Sequence, residues 1–143
     1  MGNPAAAEIE EIAIGLGWPE GPTVMPDGRI VLVESYRSQL TSVDSSGRVS
    51  RFAYVAGAPN SCVLGSDGAL YVCQNGGTVG PWRAAEMSVP SIQRVRPGGK
   101  AEILELPKVG LKGNTHIPFT DLNNVQVADQ LSAFLKKNKL DLR

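Results

Sequence analysis

The stretches Glu20–Glu34 (EGPTVMPDGRIVLVE) and Asn60–Gln74 (NSCVLGSDGALYVCQ) are two versions of one pattern. Asp27-Gly28 aligns with Asp67-Gly68, and Ile30–Val33 aligns with Leu70–Cys73, at a constant offset of 40 residues. Asp-Gly accepts the positive φ that tight hairpins demand. The flanking runs are rich in Val, Ile, Leu and Tyr, the residues of strands. Each stretch therefore predicts strand, turn, strand. Working outward, Gln39–Phe52 (QLTSVDSSGRVSRF) matches Ser91–Leu104 (SIQRVRPGGKAEIL) at an offset of 52, which adds a second hairpin with a Gly turn to each unit. The two offsets differ by 52 − 40 = 12, so the second unit carries twelve extra residues, in the Gly-, Pro- and Trp-containing stretch between Asn75 and Pro90. Four short strands per ~40 residues is the period of a β-propeller blade. The expected fold is mainly β: two blades of an incomplete β-propeller-like fold, followed by one C-terminal α-helix.

Composition divides the chain near residue 105. Residues 1–104 hold seven Arg and one Lys, residues 105–143 five Lys and one Arg; fourteen of the 16 Gly lie in the first part. We read 1–104 as a two-blade segment and 105–143 as a loop plus an amphipathic helix. In the tail, Val127, Ala128, Leu131, Phe134 and Leu135 follow the spacing of one helical face. Asp121 or Asn123 suits its start, Lys136, Lys137 and Lys139 its carbonyl end, and Asn138 the left-handed residue that closes it.

The whole chain of 143 residues balances 14 Lys plus Arg against 14 Asp plus Glu. Zero net charge argues against nucleic acid or an acidic membrane as the main partner, since both need a surplus of cations. No run approaches the ~20 apolar residues of a membrane span. The acidic N-terminus lacks the basic and apolar regions of a signal peptide, and two cysteines make no disulfide framework, so a cytoplasmic setting is expected. Cys62 and Cys73 fall on the two arms of one hairpin, nearly opposite each other; free buried thiols are expected there, with a cross-strand disulfide as the alternative.

In a propeller the first strand of each blade lines a central channel, so equivalent positions converge on one axis. The offset of 40 makes Glu20 and Asn60 equivalent. A carboxylate and an amide oxygen together suit a hard cation such as Ca²⁺ or Mg²⁺, and a metal there could polarise a carbonyl or activate a water. The bland alternative is that both residues cap turns beside Pro19, Pro22 and Pro59. Trp18 is expected to pack beside Pro19. Trp82, inside the insertion, is the better candidate for contact with a ligand.

GLGWPEGPTVMPDGRIVLVE, GAPNSCVLGSDGALYVCQNGG and SIQRVRPGGKAEIL resemble the N-terminal third of the senescence marker protein, gluconolactonase and regucalcin family, over about residues 12–104. That resemblance implies a six-bladed propeller that hydrolyses lactones, and in some members other esters, with a divalent metal, Ca²⁺ foremost and Zn²⁺ or Mg²⁺ as alternatives. It makes Glu20 a metal ligand and Asn60 a substrate-binding residue, and the partner a small lactone or ester. Many members carry Arg where this chain has Ala58. The family's remaining ligands and its base belong to later blades, so a single chain is expected to be catalytically incomplete. Three chains of two blades would close a six-bladed ring, which makes a homotrimer the oligomer to expect. A fragment without enzymatic activity, or a β-rich interaction module, is the alternative. The tail, GLKGNTHIPFTDLNNVQVADQLSAFL, resembles the C-terminal end of α/β-hydrolase esterases, which makes His116 a match for their general base. The GxSxG elbow that such a base would serve occurs nowhere in the sequence.

Overall fold

The computed structural model describes residues 8–96, 99, 101–113 and 121–140. Strands β1 (Pro19–Val24), β2 (Ile30–Glu34), β3 (Gln39–Val43) and β4 (Val49–Tyr54) pair in chain order into an antiparallel sheet. A second sheet repeats the meander with β5 (Pro59–Leu64), β6 (Leu70–Gln74), β9 (Ser91–Val95) and β10 (Ala101–Glu105). The twelve extra residues form a small hairpin of β7 (Thr78–Val79) and β8 (Trp82–Arg83), inserted between β6 and β9.

The repeat extends to the atoms of its turns. Gly28 N donates to Met25 O at 2.9 Å, and Gly68 N to Gly65 O at 3.0 Å. Asp27 and Asp67 each accept the N–H two residues on, from Arg29 at 3.1 Å and from Ala69 at 3.2 Å. Within these turns Gly28 and Gly68 take the left-handed conformation, at φ +85° and +76°, where a side chain would be strained.

Alternation along the strands gives each sheet two faces. The front face of the first sheet (Val31, Val33, Leu40, Ala53) packs on the back face of the second (Cys62, Leu70, Val72, Val95), and Val55 joins them in one core. Full burial of side chains such as Leu40 and Leu70 contributes roughly 1.5–3 kcal/mol each. The front face of the second sheet meets α1 (Asn124–Lys137) instead of a third sheet. Phe134 packs with Ala69 and Tyr71, flanked by Ile92, Leu104, Leu135 and Leu140. Its ring meets Tyr71 edge-on at 6.1 Å, and Lys137 Nζ donates to Glu102 on β10 at 2.7 Å.

Three expectations need correction. Ala128 is exposed although the helical spacing places it on the apolar face, because the buried side of α1 narrows to Val127 and Phe134. Lys139 at φ +60°, not Asn138 at −91°, supplies the left-handed residue closing α1. Asn138 instead donates its side-chain amide to Phe134 O at 2.9 Å. Cys62 pairs with Val72 and Cys73 with Ser61, so the two thiols lie on opposite faces of the sheet, and both are free. The cause is the turn: Leu64 pairs with Leu70, so the hairpin is centred on Asp67, which offsets the two cysteines by one residue, and Cys73 is exposed, not buried. Among the described residues, no helix is long and apolar enough to cross a membrane.

Candidate functional site

The site forms where the two inner strands, β1 and β5, run side by side. Pro19 and Pro59 open them, a position where a missing N–H costs no ladder bond. Gly21 makes the close approach possible: a Cβ there would sit 2.5 Å from Ser61 Cα. Thr23 Oγ1 donates across the gap to Cys62 O at 2.9 Å. This contact carries Glu20 to Asn60. Asn60 Nδ2 donates to Glu20 Oε2 at 2.7 Å, and Trp18 Nε1 donates to Glu20 Oε1 at 2.6 Å. The two equivalent positions thus share one hydrogen bond, and both carboxylate oxygens are engaged.

Glu20 and Asn60 border a cavity of about 440 Å³ together with Trp18, Ser35, Asn75 and the β7–β8 residues Thr78, Val79 and Gly80. Ser35 Oγ donates to Pro59 O at 2.6 Å. Asn75 Oδ1 accepts the Gly77 N–H at 3.0 Å, which leaves the amide N–H group for another acceptor. From Trp18, which borders the cavity, two ring contacts lead outward: Trp18 to Tyr36 at 5.4 Å between centroids and Tyr36 to Trp82 at 4.8 Å, tilted by 33° and 30°. Trp18 is not packed away beside Pro19 as expected; it is 49% exposed and borders the cavity.

A buried carboxylate anchors this rim. Glu34, at 0% exposure, accepts bonds from Arg37 Nη1 at 2.7 Å, Gln39 Nε2 at 2.9 Å, Thr41 Oγ1 and the Gly17 N–H. Burial pushes its carboxyl up, but the Thr41, Gly17 and Gln39 bonds and the Arg37 charge together outweigh that and hold it below the usual range. Arg37 Nη2 also donates to Gly15 O at 2.7 Å, tying down the segment that leads into Trp18. Sequence reading passed over Glu34. Its signal was a carboxylate closing an apolar strand (IVLVE) at the position that Gln74, also buried, holds in the repeat.

The expected metal can be tested against these donors. The site offers one carboxylate, the amides of Asn60 and Asn75 and the hydroxyls of Ser35 and Thr78; the carboxylate already accepts two N–H bonds, and Asn75 Oδ1 already accepts the Gly77 N–H. Among the described residues no group of three or more His, Cys, Asp or Glu side chains could hold a metal ion. Ca²⁺ needs six to eight oxygen ligands and Mg²⁺ an octahedron, so this set does not by itself fit a cation. Ala58, at the Arg position of the resemblance, is fully buried. His116 lies outside the described residues.

No family model and no curated protein matches the chain. Solved structures do. A protein assigned as a gluconolactonase matches 70% of the chain at 24% identity with a TM-score of 0.53. The PQQ-bound aldose sugar dehydrogenase of Streptomyces coelicolor matches 66% at 21% identity and 0.50, and virginiamycin B lyase from Staphylococcus aureus 64% at 18% and 0.49. The fold is that of β-propeller blades. The match spans 31%, 32% and 28% of those three chains, which is about a third of each.

Proposed function

We propose that the cavity beside Glu20 and Asn60 binds a small lactone or ester, as the share of a hydrolase-type site that two blades can carry. The observation behind this reading is the 2.7 Å bond that joins the equivalent side chains of the two units at a concave opening. Asn75 and Thr78 supply donors of the kind that hold a lactone carbonyl oxygen. Glu20, as acceptor, takes a ligand hydroxyl and repels the carboxylate that hydrolysis would release. Glu20 contributes one metal ligand at most, so turnover requires further ligands and a base beyond the described side chains. The gluconolactonase likeness points to the same substrate class.

The test is calorimetric titration of the chain with δ-valerolactone, next to a hydrolysis assay with and without Ca²⁺. Binding without turnover is expected in both buffers. Glu20→Gln weakens binding about tenfold, the scale of one hydrogen bond to a charged group. Binding indifferent to both Glu20→Gln and Asn60→Ala, or turnover by the chain alone, overturns the reading.

A further inference from the structure

The two units of the repeat serve as controls for each other, and they differ most at one wall of the cavity. Trp18 is equivalent to Ala58 at the offset of 40. Both hold the same backbone bond, Ser35 N to Trp18 O at 3.1 Å and Asn75 N to Ala58 O at 3.3 Å. Ala58 is fully buried and is not among the positive-φ residues, whereas Trp18 is half exposed at φ +60°. A large side chain in that conformation is costly and persists only where its surroundings hold it. The blade therefore needs neither the indole nor the strain. What holds them is Glu20, which accepts the indole N–H, so the ring plane is fixed before any ligand arrives.

The second difference is the insertion, which the first unit lacks. Its hairpin places Trp82 against Tyr36, which in turn meets Trp18, while Thr78, Val79 and Gly80 border the same cavity as Trp18. Two independent departures from the repeat thus meet at one cavity: Trp18 and the inserted Thr78–Gly80 border it, and Trp82 reaches it through Tyr36. Stacked aromatic faces favour another π-face over a saturated ring. Glu20 disfavours an anion, and among the described residues no Lys or Arg borders the cavity.

We propose that this wall selects an uncharged ligand carrying an aromatic ring, an aryl-fused lactone or aryl ester, over its saturated counterpart. Trp18 is the specificity-determining residue, and Trp82 positions it through Tyr36. The inference rests on the lactone-binding reading and narrows it.

The experiment titrates the full chain with 3,4-dihydrocoumarin and with δ-valerolactone, following heat and tryptophan fluorescence. The aryl-fused lactone is expected to bind about tenfold more tightly, the scale of one or two aromatic contacts. Trp82→Ala brings the two ligands within about twofold of each other and leaves δ-valerolactone unchanged, while Trp82→Phe restores most of the preference. Equal binding of both lactones by the unaltered chain overturns the inference and spares the lactone reading. So does a Trp82→Ala loss shared equally by both ligands. Absence of binding by either lactone overturns both.

Discussion

The front faces of the two sheets carry equivalent residues and meet different partners. Val31, Val33 and Leu40 on the first are at 0% exposure beneath the second sheet. Their counterparts Tyr71, Cys73 and Ile92 lie beneath α1, and there Cys73 is exposed and Ile92 only partly buried. A sheet covers a sheet across its full width, because the side chains of four strands interdigitate. A single helix covers a stripe about 10 Å wide. The remainder is a groove of about 370 Å³ among Cys73, Ile92, Leu131, Leu135 and Leu140. A helix can therefore end a stack of blades, but it covers the end less completely than another blade. It also stands where the next sheet would pack, so a ring of three copies would have to displace it.

The sharpest way to break this comparison is to truncate equivalent residues. Leu40→Ala should cost about 4 kcal/mol, the upper part of the range for a fully buried leucine that leaves a cavity. Ile92→Ala should cost about 1.5 kcal/mol, because its side already faces open space. Urea unfolding followed by circular dichroism reads both values. Equal losses would mean that α1 seals its sheet as well as a blade does.

The back faces differ in charge. Glu34 and Gln74 are equivalent and both buried. Gln74 Nε2 donates to Ala56 O at 2.7 Å and cannot titrate. Glu34 is held below its unfolded value, so its contribution to stability is complete above about pH 4.5 and is lost as pH falls through the lower folded value. Glu34→Gln should cost about 2 kcal/mol at pH 7, from weakened bonds to Thr41, Gln39 and Gly17. It should also make the acid side of the stability profile less steep. Unfolding midpoints between pH 7 and 3 check both. A variant with the same acid slope as the parent would transfer that slope to other carboxylates, such as Asp67, which Arg94 holds low against its burial.

Much of this was written in local pattern. The two offsets gave the strands, the Asp-Gly turns and the meeting of Glu20 with Asn60, because each rests on neighbours in sequence or on the repeat itself. The partner of the α1 face was not legible, since an amphipathic stripe states that something is covered and not what. The cysteines were misjudged because the turn between Leu64 and Leu70 is centred on Asp67, which moves the pairing by one residue and so puts the two thiols on opposite faces. Trp18 was misjudged because its exposure depends on a left-handed backbone and on a hydrogen bond to a residue two positions on. Trp82 could be suspected from the insertion, but its contact with Tyr36 belongs to tertiary structure.

The mildest test uses the thiols themselves, without substitution. Cys62 is buried in the core between the sheets, and burial pushes its thiol up to about 11. At pH 8 that leaves roughly 300-fold less thiolate than an ordinary cysteine, and only the thiolate reacts. Cys73 lies at the open side of the groove under α1. Reaction of the native chain with a small disulfide reagent should therefore proceed in two phases. The first is one thiol, slowed by folding less than about tenfold relative to the chain in urea. The second is Cys62, which waits for unfolding. Mass spectrometry of the singly labelled species assigns the order. Protection of Cys73 in the native chain would mean that its face is covered by more than the helix, as a second sheet from another copy would cover it, and the two front faces would then be alike after all.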